Sequence, residues 1–286
     1  MLPQIVALAI CNGSIYALMT IGLTLIFGVL NIVNFAHGEF LMLAMFSSYW
    51  LTKLAGMNPY LSLIIVLPLF FLLGALIERV LVNPIINKPF VAQICVTMGL
   101  SLIIANSSFI AWGPAPRTGQ APMALEVLRI GNMYVPTTHA VAFVIAIVVI
   151  LALFMLLQKT YVGKAIRAVS QNAIAAQLAG VNTKLIYSLA FGIGIACVAG
   201  AGVIMSPIYA ITPFTGKTFV SLAFLIVVFG GVRSLTGTVA AGFIMALVEA
   251  LTSFYLTVHI KDAVMYAVLL VILLLKPTGL FGSSRS

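Results

Sequence analysis

The sequence predicts an all-α protein that crosses a membrane many times. Of its 286 residues, 63% are hydrophobic and only 7% are charged, whereas an average soluble domain has about 25% charged residues. Such a chain cannot cover a water-facing surface with polar groups, so a lipid bilayer is its natural solvent. Apolar runs close to the length that crosses a bilayer as a helix, about 20 residues, recur along most of the chain. The sequence therefore predicts one transmembrane domain over residues 1–286.

Nine apolar stretches account for the predicted helices. The two at 218–232 and 262–275 are short for a full crossing, so we expect eight or nine crossings with one or two broken or re-entrant helices. The first stretch is long enough for a span with a kink at Gly22 or Gly28. The nine stretches lie at about 5–30, 36–55, 60–82, 91–112, 137–158, 184–206, 218–232, 238–256 and 262–275.

Two long connections orient the predicted helices in the membrane. The segment at about 113–136 contains too many Gly and Pro residues for a helical crossing. The segment at about 159–183 is basic and contains no acid, and Lys and Arg near helix ends are retained on the cytoplasmic side. We therefore expect a cytoplasmic loop at 159–183, an external loop at 113–136 and an external N-terminus. The same topology puts Lys217 and Lys261 outside.

Charge and chemistry exclude several other classes. The 14 Lys and Arg residues give a net charge of +9, but they are scattered singly, so no surface for nucleic acid is predicted. With five acids and three histidines, no catalytic cluster, metal site or cofactor site is recognisable. We expect membrane lipid as the surrounding partner and no enzymatic activity.

Four polar residues inside or beside the apolar runs are candidates for a translocation path or gate: Asn34, His37, Glu39 and Glu249. The first three lie in a polar, flexible patch that predicts a helix break. They either line a solute path or form a polar hinge packed between helices, and the residues alone leave both open. Glu249 lies within an apolar helix and must face protein or water; a partner such as Arg233 or a Ser/Thr cluster is favoured over a substrate contact. Glu78 is expected at an ordinary interfacial position.

The 159–183 loop contains two alanines, three spacer residues and a glycine, Ala175-Ala176-xxx-Gly180. The segment from Gly163 to Leu178 favours one helix with Gly180 as its C-cap. A short helix with a small-residue surface could fit a groove on a partner, although a plain surface helix between two spans has the same pattern.

Four ordered motifs carry a family resemblance over nearly the whole chain. Together they closely resemble the inner-membrane permease subunit of branched-chain amino acid ABC transporters, the smaller of the two permeases. The motifs are Tyr16-Ala17-Leu18 through Gly22-Leu23-Thr24-Leu25-Ile26-Phe27-Gly28; Asn34-Phe35-Ala36-His37-Gly38-Glu39; Gly163-Lys164-Ala165-Ile166-Arg167-Ala168 with Ala175-Ala176 and Gly180-Val181-Asn182; and Lys276-Pro277-Thr278-Gly279-Leu280-Phe281-Gly282.

The resemblance implies a transport subunit of the bacterial inner membrane. Its implied partners are a second, related permease, two cytoplasmic ATPase subunits that hydrolyse the ATP, and a periplasmic solute-binding protein. The ATPases would dock on the loop that contains Gly163, Arg167, Ala175, Ala176 and Gly180. The general motif begins with Glu where this chain has Ile174, which puts an acid-dependent contact in doubt.

The implied substrates are branched-chain or related apolar amino acids, although similar permeases serve urea, short amides and aromatic acids. Whether two copies of this chain or one copy and a relative form the pore stays open. A different class, a proton-coupled secondary carrier, would have to use Glu39 or Glu249.

Overall fold

Eleven α-helices and one β-hairpin make up the part of the chain that the computed structural model describes, residues 2–119, 126–130 and 133–282. A π-helical turn at Glu78–Val82 and a 3-10 turn at Asn83–Ile85 prolong the third helix, and a second 3-10 turn, Val258–Ile260, precedes the last. The elements are α1 Leu2–Leu30, α2 His37–Ala55, α3 Leu63–Ile77, α4 Phe90–Trp112, β1 Val127–Ile130, β2 Met133–Pro136, α5 Thr137–Lys159, α6 Tyr161–Gln171, α7 Ala173–Leu178, α8 Thr183–Met205, α9 Thr215–Gly230, α10 Leu235–Tyr255 and α11 Lys261–Leu275.

The helices confirm the predicted all-α membrane fold. Each of the nine apolar stretches forms a helix, and in the described residues six helices are long and apolar enough to cross a membrane. These are α1, α3 with its extension, α4, α5, α8 and α10, while α9 is a shorter apolar helix.

Helices α1 and α8 form the centre of the bundle. Most of α1 and α8 is buried, whereas α3, α4 and α5 turn large apolar side chains outwards, as expected for a lipid-facing surface. Helix α1 runs as one helix from Leu2 to Leu30, so the first stretch is not divided at Gly22 or Gly28. Gly22 instead allows close packing: a Cβ there would lie 2.3 Å from the Gly194 carbonyl oxygen of α8.

Helix α2 begins inside the bundle, not at its end. Asn31 ends α1 with a positive φ of 57°, and residues 31–36 turn back along the bundle, where Thr97 Oγ1 of α4 donates to the Val33 carbonyl. His37, the first residue of α2, contacts the Met19 carbonyl. Met19 lies eleven residues before Leu30, which is about 16 Å at 1.5 Å per residue. Residues 31–36 are therefore non-helical and α2 begins partway along α1, at the polar patch where the sequence predicts a helix break.

Helix α9 begins at the same depth as α2. A Cβ on Gly38 would lie 2.1 Å from the Gly216 carbonyl oxygen, so the first turns of α2 and α9 touch at these two glycines. The predicted 218–232 stretch is short for a full crossing because α9 starts at mid-depth and ends at Gly230. The first turns of these two helices are therefore buried and meet near the middle of the bundle.

The 113–136 region forms no helix in its described part, in agreement with the sequence. Strands β1 and β2 pair antiparallel, and Arg117 pairs with Ile211 in an isolated bridge. Residues 120–125 and 131–132 of the predicted external loop lie outside the described residues.

The 159–183 region contains two helices where the sequence predicted one. The break is at Asn172, whose Oδ1 accepts a hydrogen bond from the Ala175 amide at 3.0 Å and so caps α7. The predicted C-cap is confirmed. Gly180 has a φ of 85°, and the Val181 and Gly180 amides donate to the Ala176 and Gln177 carbonyls, the Schellman arrangement.

Candidate functional site

Asn34, His37 and Glu39 cluster where α2 starts. Asn34 and His37 are fully buried and Glu39 is 3% exposed. Asn34 Oδ1 accepts a hydrogen bond from the Ala36 amide at 3.1 Å, which stabilises the turn into the helix. His37 Nε2 lies 3.0 Å from the Met19 carbonyl oxygen, which can only accept, so Nε2 carries the proton. These bonds fasten the start of α2 to the middle of α1.

Glu39 connects this cluster to α4 and α9. Its Oε1 accepts a hydrogen bond from Ser101 Oγ at 3.2 Å, and Ser101 lies halfway along α4. Its Oε2 packs against Gly216, where a Cβ would lie 2.3 Å away. A carboxylate at the first turns of α2 and α9 is favoured by the partial positive charge of both helix ends.

Three polar atoms of the cluster have no hydrogen-bond partner among the described residues: Asn34 Nδ2, His37 Nδ1 and Glu39 Oε2. Unpaired buried polar atoms destabilise a packed structure unless water, an ion or a different arrangement satisfies them. The cluster borders neither of the two cavities described below. In this conformation the cluster packs between α1, α2, α4 and α9.

Glu249 has partners other than the ones the sequence favoured. Tyr16 Oη donates to its Oε2 at 2.7 Å, and Lys261 Nζ lies 2.5 Å from its Oε1. The expectation of Arg233 as partner is wrong, because Arg233 donates to Asn31 Oδ1 beyond the end of α1. Sequence reasoning missed Lys261 because the turn at 256–260 brings the start of α11 back over α10.

Glu78 lies at the end of α3, as the sequence predicts, but its side chain does not face outwards. It is fully buried within the protein. It accepts hydrogen bonds from Asn83 Nδ2 at 3.1 Å and from Ser188 Oγ of α8. The π-helical turn that begins at Glu78 holds the carboxylate towards the bundle.

Lys217 lies close to this cluster along α9, although the sequence analysis did not single it out as a candidate. It was assigned to the outside, yet it follows Gly216 in the first turn of α9 and so lies near the depth of Glu39. Its side chain is exposed on the isolated chain. A lysine at this depth faces water or another protein surface. The signal available in the sequence was the short length of the 218–232 stretch.

The five predicted docking residues divide into two groups. Gly163, Arg167 and Ala176 make contacts within this chain: a Cβ on Gly163 would lie 2.2 Å from the Leu157 carbonyl oxygen, Arg167 donates to the same oxygen, and Ala176 is buried. Ala175 and Gly180 are exposed.

The surface of α7 also exposes two large apolar side chains, Ile174 (74%) and Leu178 (86%). Beside α6 lies a cavity of about 740 Å³ bordered by Arg167, Arg233 and the residues around Gly231. No group of three or more His, Cys, Asp or Glu in the described ranges could hold a metal ion.

A bundle of apolar helices, two of which begin at mid-depth beside buried polar groups, is the architecture of a membrane transport protein. The chain belongs to the family of branched-chain amino acid transport system permease components, whose sequence pattern matches residues 5–273.

Curated relatives agree with this membership. The chain is 32% identical to LivH of Salmonella typhimurium and 31% identical to LivH of Escherichia coli K12, both called high-affinity branched-chain amino acid transport system permease proteins. It is 28% identical to BraD of Pseudomonas aeruginosa, which has the same description. Each comparison covers 94% of this chain and 92% of the relative. No solved structure matches the chain at a significant level.

Proposed function

We propose that this chain is the permease subunit of an ATP-driven importer that moves branched-chain or related apolar amino acids across the bacterial inner membrane. The observation that carries the proposal is the likeness to LivH and BraD over 94% of the chain. The relatives' names supply the substrate class, and the helical bundle supplies the means to cross the membrane.

The importer contains a second permease, two cytoplasmic ATPase subunits and a periplasmic solute-binding protein. The ATPases dock on the 159–183 loop, through the exposed face of α7 that carries Ile174, Ala175 and Leu178. Two large apolar side chains that are this exposed, on a short helix in a basic loop, support contact with another protein.

Gly163 and Arg167 serve docking indirectly. Because both pack on the Leu157 carbonyl at the end of α5, α6 is fixed to a transmembrane helix. The caps at Asn172 and Gly180 make α7 a short, rigid element. Movement of a docked ATPase is therefore passed to the bundle without being absorbed by a flexible loop.

The junction of α2 and α9 is the gate in this proposal. Coupling to ATP requires two states that a ligand distinguishes, and Asn34, His37 and Glu39 have unpaired atoms that are satisfied when the junction separates. Glu249 lies on the opposite side of the α9 start, in a cavity that leads towards it.

The test is uptake of radiolabelled L-leucine by proteoliposomes that contain the co-purified complex, with the binding protein added. ATP inside the vesicles is expected to drive uptake that an uncoupler leaves intact. Uptake that needs a proton gradient, and not ATP, would instead establish the secondary-carrier class. Urea, acetamide and phenylacetate serve as competing substrates. Stronger uptake of one of them than of leucine would replace branched-chain amino acids as the substrate class.

Glu39→Gln tests the gate in the same vesicles. We expect reduced uptake at normal assembly, because the neutral amide loses its interaction with the two helix ends. Unchanged uptake and unchanged assembly would remove Glu39 from the path and leave it a structural role.

A further inference from the structure

A second cavity, about 630 Å³, lies between α1, α9, α10 and α11. Its lining includes the charged residues Glu249, Lys261 and Asp262 and the hydroxyl residues Thr218 and Ser221. The same lining contains several apolar side chains. The cavity is thus lined by acidic, basic and apolar side chains together. Such a lining is unusual within a membrane bundle.

The charged groups of the cavity have unused binding capacity. Lys261 donates to Glu249, which leaves two of its three ammonium hydrogens for a second acceptor. Asp262 is exposed and makes no hydrogen bond or ion pair with any residue in the described ranges. Glu249 accepts hydrogen bonds from both Tyr16 and Lys261. Because Glu249 is fixed by Tyr16, it holds the Lys261 ammonium at the cavity and acts as a positioning residue.

The apolar part of the lining provides a surface on which an aliphatic side chain can pack. It is formed by Phe219, Leu222 and Leu225 of α9 and Met265 of α11. Pockets that bind small molecules are mostly apolar with a few placed polar groups, and this lining has that composition. An α-amino acid with an apolar side chain carries an ammonium, a carboxylate and an aliphatic group in one small molecule.

We propose that this cavity is a binding site for the transported amino acid within the permease itself. The substrate ammonium pairs with Asp262, its carboxylate with Lys261, and its side chain packs on the wall of α9 and α11. The inference rests on the proposed function and deepens it by naming the contacts. Thr215, in the first turn of α9, also borders the cavity, so bound substrate lies beside the junction that Glu39 closes from the other side.

The experiment measures equilibrium binding of radiolabelled L-leucine to the permease–ATPase complex in nanodiscs, without the solute-binding protein. Asp262→Asn is expected to weaken leucine binding about tenfold, the order expected for loss of a charged hydrogen bond. The matched control is Glu126→Gln, which removes an exposed acid outside the cavity and is expected to leave binding unchanged.

An analogue identifies which substrate group Asp262 contacts. 4-Methylpentanoate has the leucine side chain and carboxylate but no ammonium, so its weaker binding, measured by competition, is expected to be the same in the wild type and in Asp262→Asn. An equal loss for leucine and the analogue would overturn the pairing with ammonium.

Uptake by the complete importer separates failure of this inference from failure of the proposed function. Intact ATP-driven leucine uptake together with no leucine binding to the permease–ATPase complex would overturn the cavity assignment alone. A third outcome is leucine binding that is displaced by phospholipid and is unchanged in Asp262→Asn. That result would overturn the inference and assign the cavity to lipid. Absence of leucine uptake by the complete importer would overturn the proposed function and the cavity's amino-acid ligand with it.

Discussion

Single polar residues inside this bundle differ in how fully they are paired. Glu78 accepts two hydrogen bonds and Glu249 interacts with two partners, whereas Glu39 has one oxygen paired and one unpaired. Fully paired buried groups make a structure rigid, and partly paired groups are where alternative arrangements become favourable. We therefore expect substitutions around Glu78 to change stability and substitutions around Glu39 to change transport.

Ser188→Ala is expected to lower the free energy of unfolding by about 1–3 kcal/mol. The change removes one of two donors to Glu78, which is fully buried and keeps only Asn83. Thermal unfolding of the purified chain in detergent measures the effect. Ser253→Ala is the control, since Ser253 is half-buried and makes no side-chain hydrogen bond to a described residue. Equal midpoints for the two variants would contradict the pairing of Glu78 with Ser188.

At the scale of elements, glycines decide where helices can touch. Gly38 and Gly216 allow the first turns of α2 and α9 to meet, in the same way that Gly22 and Gly194 join α1 and α8. A side chain at such a position displaces two helix backbones, which have few ways to adjust in a packed bundle.

Gly216→Ala is expected to abolish most leucine uptake, because the added Cβ would lie 2.3 Å from Glu39 Oε2 and 2.8 Å from the Gly38 carbonyl oxygen. Gly28→Ala is the matched control: it is also a glycine within a helix, with no atom within 4 Å of its added Cβ. Alanine is the better helix former there by about 0.5–1 kcal/mol. Normal uptake by Gly216→Ala at normal expression would contradict the prediction, because it would show that the α2–α9 contact can accommodate an added Cβ.

Helix α7 is the element for which we expect a partner. Leu178→Asp is expected to reduce co-purification of the ATPase subunits at least about tenfold, since burying an unpaired carboxylate in an interface is strongly unfavourable. Quantitative immunoblotting of the purified complex measures the ratio. Leu54→Asp is the control, because Leu54 is comparably exposed at 79% against 86% but lies in the last turn of α2. Equal ratios in both variants would remove α7 from the docking surface.

For the whole molecule, we expect another subunit to pack on one part of the exposed surface of α4, with the rest facing lipid. Cys95, Leu102 and Asn106 are all exposed, and spacings of seven and eleven residues put them on one face of the helix. Asn106 donates to the Leu102 carbonyl of its own helix, so it carries an exposed amide within an apolar span. A polar group there is better placed against protein than against lipid.

Cys95 reports directly on that face. We expect maleimide to label Cys95 in the isolated chain in detergent, while Cys11 and Cys197, which are buried, do not react. In the proposed importer, Cys95 labelling is expected to fall at least about fivefold, because the proposed second permease would cover this face of α4. Leu151→Cys in a Cys95→Ser background is the control on the exposed side of α5 and should react equally in both samples. Unchanged labelling of Cys95 would place the permease interface elsewhere.

The sequence determined the class of protein and the sites of its helices. Burial of about 20 apolar residues in lipid depends on local composition alone, so all nine apolar stretches could be located, and the Gly180 cap follows from local backbone preference. The four polar positions at 34, 37, 39 and 249 were also recognisable, because polar residues stand out in an apolar chain. Family motifs then supplied the transport function.

Only the tertiary structure decided how deep the helices start and which side chains meet. Lys261 pairs with Glu249, Ser188 pairs with Glu78, and Gly38 touches Gly216 across helices that are distant along the chain. Hydropathy reports whether a segment is buried, but it carries no information about the helix that covers it or about the direction of a turn such as 31–36. The mid-depth junction, the charged cavity and the buried Glu78 therefore arise from long-range packing, which is also where we expect the protein to move.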